Sequence, residues 1–297
     1  PEMILEYRNL SKLMGTYLKG LATRVGPDGR IRTRFNQILT TGRLSSSKPN
    51  LQNIPKPDKD VFGLRDMFIA EDGYKLICAD YSQIELRVLA HISKDPVFIA
   101  SFTEGTDLHS YAAKMLYNLK EDVSEIKEKY PDLRNVGKTF NFSMIYGAGR
   151  TRLASAAKVS EKQAGELKDR YLREFRGIGR YLEATHRKAE KLGYVTTIIG
   201  RRRHVPDAQL RGKTQKEHAL KSVALRQAGN APIQGSAADI ISIAMRNLTR
   251  RFKKENLTHD DVRIVLQVHD ELIIECREDI VDDVAKIVKY EMENAIK

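Results

Sequence analysis

In the first third of the chain, the spacing of hydrophobic and polar residues predicts two helices and a strand. A helix-like period is predicted over residues 3–22. Residues 40–57 are rich in Gly, Ser, Asn and Pro, which is typical of an ordered, functional loop. An apolar run over 74–80 predicts a strand that ends on Asp80, and residues 83–92 favour a helix. The junction between this strand and this helix therefore presents a carboxylate.

The rest of the chain is mainly helical until a predicted hairpin near its end. Residues 105–225 have helical patterns without an internal repeat, and residues 237–252 predict another amphipathic helix. Two short apolar runs within 262–276 flank the segment QVHDE, which indicates a β-hairpin with acids at its turn. Strands at both ends with helices between them predict an α+β fold, in which a helical subdomain interrupts a sheet.

The charge of the chain narrows the choice of partner. Subtracting 39 Asp and Glu from 51 Lys and Arg leaves +12, which favours nucleic acid, an acidic membrane surface or phosphorylated substrates. No apolar stretch approaches the roughly 18 residues of a membrane span. Cys78 and Cys276 lie outside any CxxC pattern, which argues against a zinc ribbon or a disulfide framework and favours a reducing compartment. The chain lacks an initiator Met, so we expect it to be part of a longer polypeptide.

Two predicted strands end on carboxylates, Asp80 and Asp270. Either acid alone is more typical of a turn or a helix cap. If the two strands are neighbours, however, repulsion between the acids would raise a pKa unless a cation lies between them. Magnesium prefers oxygen ligands and is commonly held by one or two carboxylates together with substrate phosphates. The pair therefore predicts a magnesium site for phosphoryl transfer, provided that the strands meet.

A second candidate site is a stripe of four side chains at four-residue spacing. On a helix such a stripe runs slantwise for about 18 Å. Its cations could hold a triphosphate and its aromatic rings a base and sugar, although a solvated basic face beside two core aromatics explains the segment equally well. We expect Asp132 to cap this helix and Gly147 to end it. The stripe consists of Arg134, Lys138, Phe142 and Tyr146.

The segment Gly137-Lys138-Thr139 superficially matches the end of a phosphate-binding P-loop. The glycine required five residues before Gly137 is replaced by Asp132, and the segment is continuous with the helical pattern. A Walker-type ATPase is therefore excluded.

Three ordered segments resemble the motifs of the family A DNA polymerases, the bacterial DNA polymerase I type. DYSQIELR over 80–87 resembles motif A, RNVGKTFNFSMIYG over 134–147 resembles motif B, and VHDE over 268–271 resembles motif C. Segments 41–46, 49–55 and 230–235 resemble the primer–template segments of the same family. The resemblance extends over essentially the whole chain.

The resemblance implies a role for each acid of motifs A and C. Asp80 and Asp270 would hold two Mg²⁺ ions with help from the backbone carbonyl of Tyr81. Glu271 would support this site from beside it, and His269 would lie near the primer terminus.

The resemblance also implies a nucleotide site on motif B. Arg134 and Lys138 would bind the incoming triphosphate, and Lys138 would donate a proton to the pyrophosphate leaving group. His109 and Gln83 would be secondary phosphate neighbours, and Tyr146 would lie at the templating position.

Two further residues would select the sugar of the nucleotide. Glu85 would fill the space of a ribose 2′-hydroxyl and so exclude ribonucleotides. Phe142 would favour a sugar that keeps its 3′-hydroxyl. Primer and template would be contacted through phosphates and minor-groove acceptors, which test the shape of a base pair without reading sequence. The residues implied for these DNA contacts are Arg43, Asn50, Gln52, Asn53, Arg226, Asn230 and Gln234.

The fold implied by the resemblance is the right-hand polymerase fold of the α+β class, with an antiparallel palm sheet, inserted helical fingers and most of the thumb absent. The implied function is template-directed DNA synthesis by a DNA-directed DNA polymerase that uses primer–template DNA, deoxynucleoside triphosphates and two Mg²⁺ ions. We expect the protein to be monomeric and not to bind membranes. If it is bacterial or from a phage, we expect it in the cytoplasm at the nucleoid; an organelle is the alternative location. The expected domains are a thumb remnant over 1–35, palm over 36–104, fingers over 105–220 and palm over 221–297.

The sequence leaves two alternative functions open. A two-metal nuclease or phosphohydrolase would use similar acids but has no need of the stripe of cations and aromatic rings. A DNA-binding fragment without activity would show salt-sensitive binding and no turnover.

Overall fold

A computed structural model describes residues 2–55, 60 and 62–296. Residues 56 and 57 of the predicted loop over 40–57 lie outside the described residues. The chain forms two compact units. The first, which we call the sheet unit, contains 1–81 and 240–297; the second, the helical unit, contains 82–239. The helical unit is thus inserted between the two parts of the sheet unit along the sequence.

The elements follow one another in this order. The first part of the sheet unit contains α1 (Glu2–Lys12), a π-helical stretch (Leu13–Lys19), α2 (Gly20–Ala22), β1 (Arg34–Asn36), β2 (Ser45–Ser47) and β3 (Tyr74–Asp80). The helical unit contains α3 (Ile84–Ser93), α4 (Pro96–Thr103), α5 (Leu108–Tyr117), α6 (Val123–Lys129), α7 (Pro131–Ile145), α8 (Arg150–Ala157), α9 (Glu161–Glu174), α10 (Arg176–Leu192), β4 (Tyr194–Thr196) and β5 (Arg202–His204). The long helix α11 (Gln215–Lys254) begins in the helical unit, and β6 (Val262–Val268), β7 (Glu271–Arg277) and α12 (Val281–Glu293) complete the sheet unit.

The main sheet is antiparallel, with the strand order β3-β7-β6. One face of it packs on α12 and the last part of α11 through a buried apolar cluster that includes Leu248, Leu272, Ile274 and Val288. Ile77 packs against the same cluster. Because side chains alternate between the two faces of a strand, Asp80 of β3 projects from the opposite face.

A buried acid on that opposite face joins the sheet to an earlier turn. The side chain of Glu275 accepts hydrogen bonds from Arg30 and Arg263 at 2.9 and 2.7 Å. Burial alone would raise the pKa of Glu275, but its hydrogen bonds, including one from the backbone of Glu71, lower it. Removing either arginine would leave the buried charge of Glu275 with fewer partners, which would lower the stability of the fold.

The core of the helical unit contains a cluster of aromatic rings. Tyr171 and Phe175 lie with their ring centres 4.4 Å apart, and Phe98 and Phe140 pack at 5.2 and 5.5 Å from members of this pair. All four side chains are fully buried. Such ring pairs contribute stability beyond the area that they bury. The cluster therefore fixes α7 and α9 against each other.

The α+β expectation is confirmed, since an antiparallel sheet and a mainly helical insertion are both present. The strand over 74–80 and the hairpin within 262–276 form where they were predicted. The helix predicted over 237–252 is part of the much longer α11, because Pro232 and its neighbouring glycines are accommodated inside a helix instead of ending it.

The boundaries between the two compact units follow residues 81 and 239, whereas the expected domain boundaries follow residues 35, 104 and 220. Residues 82–104 and 221–239, which were expected in the palm, belong to the helical unit, and the assignment to four domains stays a prediction. Among the helices of the described residues, none combines the length and apolar character needed to cross a membrane.

Candidate functional site

The acidic residues of motifs A and C lie at the same end of the main sheet. Asp80, the last residue of β3, is the direct cross-strand partner of Glu271, the first residue of β7. The backbone N–H of Tyr81 donates a hydrogen bond of 3.1 Å to the carbonyl of Asp270. Residues directly opposite each other have Cβ atoms about 5 Å apart. The backbone register therefore gathers Asp80, Asp270 and Glu271.

The chemistry of these residues fits a magnesium ion. Like charges placed opposite each other on adjacent strands repel, and a divalent cation removes that cost. Mg²⁺ is typically held by one or two carboxylates, while waters and substrate phosphates complete its octahedron. Within the described part of the chain, no group of three or more His, Cys, Asp and Glu side chains has the arrangement of a ready-made metal site. Asp80, Asp270 and the carbonyl of Tyr81 are the oxygen donors at this end of the sheet that could hold Mg²⁺ together with substrate oxygens.

The turn that carries Asp270 is held by two glutamines. His269, the first turn residue, is exposed and has a φ of 56°, a left-handed conformation that is uncommon outside glycine. The side-chain amide of Gln267 donates to the carbonyl of His269, and the amide of Gln52 donates to the carbonyl of Gln267 at 3.0 Å. Gln52 and Gln267 are both buried. Gln52, which was expected to contact DNA, thus lies beneath the turn and stabilises it.

The helix α7 carries the stripe of cations and aromatic rings. It runs without interruption over the segment Gly137-Lys138-Thr139, so this segment is not the loop of a P-loop, as predicted. The prediction that Asp132 caps this helix is wrong. The N-cap is Tyr130, which makes no side-chain capping bond, and Pro131 and Asp132 are the first two helical residues. Proline is favoured at the first helical position because its missing N–H needs no partner there.

The first residue of the stripe is bound by an acid. Nε of Arg134 lies 2.5 Å from Oδ2 of Asp107, the N-cap of α5. Burial alone would raise the pKa of Asp107, but hydrogen bonds from Arg134 and Ser110 lower it to about 2. Asp107 therefore remains ionised and holds the guanidinium on the face of α7. Lys138, one turn further on, is exposed.

Glycine at position 137 brings α5 and α7 together. A Cβ atom there would lie 2.4 Å from the carbonyl oxygen of His109 and 2.9 Å from the backbone nitrogen of Ala113. Only glycine permits such a close approach. The carbonyl in question belongs to His109, so Gly137 places this buried histidine beside the stripe. Its ring centre lies 6.0 Å from that of Phe142.

The aromatic end of the stripe is attached to the helix of motif A. The hydroxyl of Tyr146 donates a 2.7 Å hydrogen bond to Glu85 on α3, and Glu85 is a buried residue. The rings of Phe142 and Tyr146 are stacked at 6.4 Å. Gly147, with a φ of 62°, follows the end of α7 as predicted. Gln83 is the exposed N-cap of α3.

The other residues expected at DNA occur in two groups. In the sheet unit, Arg43 is partly buried, Asn50 is exposed and caps the short helical turn at Leu51–Asn53, and the carbonyl of Asn53 accepts a hydrogen bond from Tyr17. In the helical unit, three residues follow one face of α11 at four-residue spacing, with the first exposed and the other two partly buried: Arg226, Asn230 and Gln234.

Several residues that shape the site were missed by sequence reasoning. Asp107 stands immediately before a helical run, which is a signal for an N-cap, but its pairing with Arg134 joins residues 27 positions apart. Asn141 is fully buried on α7. In the sequence it is a polar residue between Phe140 and Phe142, and this placement was the signal that it has a buried partner.

Comparisons with known proteins agree with these motifs. The chain matches the family model described as DNA polymerase family A over residues 1–297. It is 44% identical to DNA polymerase I of Synechocystis over 310 residues, 43% identical to the thermostable DNA polymerase I of Thermus filiformis and 42% identical to DNA polymerase I of Bacillus caldotenax. Each alignment covers 99% of this chain and 30%, 34% and 33% of the relative, respectively. The chain thus spans about a third of the length of these relatives.

A solved structure is also similar over the whole chain. It is the POL domain of Pol1 from M. smegmatis in complex with DNA primer–template and dNTP, with a TM-score of 0.89 and 39% identity over 100% of this chain and 50% of that one. The match of fold, motifs and sequence is consistent over both units. The chain belongs to DNA polymerase family A.

Proposed function

We propose that this chain catalyses template-directed DNA synthesis, in which deoxynucleotides are added to a primer 3′-hydroxyl and pyrophosphate is released. The observation that carries the proposal is the register of β3 and β7, which gathers Asp80, Asp270 and Glu271 at one end of the sheet. The substrates would be primer–template DNA and deoxynucleoside triphosphates, the partners named for the M. smegmatis structure.

The charge and placement of the acids support the roles proposed for them. Two Mg²⁺ ions held by Asp80, Asp270 and the carbonyl of Tyr81 would neutralise charge on the attacking and leaving oxygens of the reaction. Glu271, opposite Asp80, would add negative charge that strengthens cation binding. His269, at the exposed turn, would contact the primer terminus.

The helical unit would bind the nucleotide. Arg134 and Lys138 would pair with its phosphates, and Lys138 would protonate the leaving pyrophosphate. Phe142 and Tyr146 would stack near the sugar and base, and Glu85 would occupy the space of a 2′-hydroxyl. The residues proposed to contact the primer–template are Arg43, Asn50, Gln52, Asn53, Arg226, Asn230 and Gln234.

In this proposal the first residues are a thumb remnant, the main sheet is the palm and the inserted helices are the fingers. We place the protein in the bacterial cytoplasm at the nucleoid, as a monomer.

A primer-extension assay tests the proposal. A labelled primer–template is incubated with the protein, Mg²⁺ and four deoxynucleoside triphosphates, and parallel reactions contain EDTA or ribonucleotides. We expect magnesium-dependent lengthening with deoxynucleotides. Shortening of the labelled primer would indicate a nuclease. Binding of the primer–template without any change in primer length would indicate a DNA-binding fragment. Either result contradicts the proposal.

A further inference from the structure

A buried asparagine on α7 determines which nitrogen of His109 carries the proton. Asn141 is fully buried, and its side-chain nitrogen lies 3.2 Å from the carbonyl oxygen of Leu108 and 3.1 Å from Nδ1 of His109. A carbonyl oxygen only accepts hydrogen bonds, so the group that faces Leu108 must be the NH₂ of the amide. The orientation of the amide is therefore fixed by the backbone of α5.

A second contact stabilises the same orientation. The hydroxyl of Tyr171 donates a 3.0 Å hydrogen bond to Oδ1 of Asn141, and Tyr171 is fully buried as well. Rotating the amide by 180° would place its oxygen against the Leu108 carbonyl and leave buried groups without partners, which is costly.

The orientation of the amide then determines the tautomer of the histidine. The NH₂ of Asn141 has two hydrogens, one directed to Leu108 and one to Nδ1 of His109. Because Nδ1 accepts this hydrogen bond, it carries no proton, and in the neutral ring the proton is on Nε2.

The surroundings of His109 favour the neutral ring. Burial lowers its pKa to about 4, with Asp107 opposing and the charges of Arg134 and Lys138 adding to the decrease. Asn141 and Phe142 of α7 also lie against the ring, and Tyr171 of α9 contacts Asn141. A neutral ring with its proton on Nε2 is a hydrogen-bond donor of constant strength through the neutral pH range.

We infer that Asn141 is a positioning residue that holds neutral His109 as the Nε2–H tautomer, so that His109 donates a hydrogen bond to the phosphates of the incoming nucleotide. The inference about the phosphates rests on the proposed function; the inference about the tautomer does not. Arg134 and Lys138 supply the charge for the triphosphate, and His109 supplies a directional donor that is independent of pH.

Nitrogen-15 NMR of the nucleotide-free protein tests the tautomer directly. The signals of His109 are identified by their loss in a His109→Gln variant. We expect Nδ1 to have the shift of an unprotonated nitrogen and Nε2 that of a protonated one, between pH 6 and 8. A protonated Nδ1 at neutral pH would overturn the inference. Added tripolyphosphate, a probe without base or sugar, should shift Nε2 and leave Nδ1 unprotonated; an unchanged Nε2 signal would contradict its role at phosphates.

Two variants separate positioning from packing. Asn141→Asp keeps the shape of the side chain but offers Nδ1 only an acceptor, so the ring must place a proton on Nδ1. We expect the KM for deoxynucleotides to rise on the order of ten- to a hundredfold at pH 8. It should recover toward pH 6, because the introduced carboxylate raises the pKa of His109 and the imidazolium then donates from both nitrogens. Tyr171→Phe also removes a buried hydrogen bond, but it leaves Nδ1 as an acceptor. Its KM should have the flat pH profile of the unmodified protein.

Equally flat pH profiles for both variants would overturn the positioning role. If Asn141→Asp does not fold, the spectrum of the unmodified protein still decides the tautomer. Absence of primer extension by the unmodified protein would contradict the proposed function, and it would leave the NMR result on the tautomer standing.

Discussion

The sheet unit and the helical unit position their functional groups by different means. At the end of the main sheet, the backbone pairing of β3 with β7 gathers the acids, and two glutamine side chains support the turn that carries Asp270. On α7, helical spacing forms the stripe, but buried side chains orient it: Asp107 binds Arg134, and Glu85 binds Tyr146. Substitutions at the sheet end should therefore affect chemistry alone, whereas those around α7 should also affect affinity, selectivity or packing.

Loss of an acid at the sheet end should have the largest effect. Asp80→Ala and Asp270→Ala each remove a carboxylate that would hold Mg²⁺, which contributes several kcal/mol to the stabilisation of the transition state. We expect primer extension to fall on the order of a thousandfold or more, with DNA affinity and melting temperature nearly unchanged. Asp282→Ala, at an exposed acid on α12, is the matched control and should retain full activity. Single-turnover extension at saturating nucleotide measures the effect, and near-normal rates in either variant would contradict the role of these acids.

Removal of the exposed cation of the stripe should have the next largest effect. Lys138→Ala removes both a phosphate contact and the expected general acid, and general acids contribute on the order of a hundredfold or more. The loss should appear mainly in the rate of the chemical step. Lys127→Ala, at an exposed lysine on α6, is the control. If the two variants extended primers equally well, Lys138 would have no part in the reaction.

Selectivity for the sugar should change by a smaller factor. Glu85→Ala removes the side chain expected to exclude the 2′-hydroxyl, so the preference for deoxynucleotides over ribonucleotides should fall on the order of ten- to a hundredfold. Tyr146→Phe removes the 2.7 Å hydrogen bond between Tyr146 and Glu85. It keeps the Glu85 carboxylate, which would still fill the space of the nucleotide 2′-hydroxyl. It should change selectivity much less. Competition between the two nucleotide classes measures this ratio, and equal effects of the two variants would assign the selectivity to Tyr146.

The smallest expected effect concerns packing alone. Gly137→Ala places a methyl group 2.4 Å from the His109 carbonyl oxygen, so α5 and α7 must separate. Overpacking of this kind costs about 1–3 kcal/mol of folding free energy. Gly15→Ala adds the same methyl group where nothing lies within 4 Å and should not destabilise the protein. Denaturant unfolding compares the two variants, and equal stability would show that the close approach of the helices is unimportant.

The sheet end could be predicted from the sequence to a large extent. The strand over 74–80 and the hairpin within 262–276 have local patterns that determine their positions, and antiparallel pairing then fixes which residues face each other. The sequence does not show that β3 pairs with β7, or that Asp80 faces Glu271, because this pairing joins segments far apart in the chain.

The surroundings of α7 could be predicted only in part. Helical spacing was sufficient to identify the stripe from Arg134 to Tyr146 as one face. The partners of its members lie at distant positions, such as Asp107 and Glu85, and depend on how the helices pack. Gln52 was expected at DNA because of its motif, and that stays a prediction; no local pattern indicated that it is also buried beneath the turn of motif C, where it bonds to Gln267.

Iron-directed cleavage of the backbone tests most directly whether Asp80 and Asp270 bind the same ions. Fe²⁺ can replace Mg²⁺ at oxygen ligands, and with ascorbate and peroxide it generates radicals that cut the nearby backbone. We predict cuts close to residues 80 and 270, both suppressed by excess Mg²⁺ and both lost in Asp80→Ala and in Asp270→Ala. Cleavage near residue 270 that survives in Asp80→Ala would show that the two acids do not share a cation, and it would contradict the account.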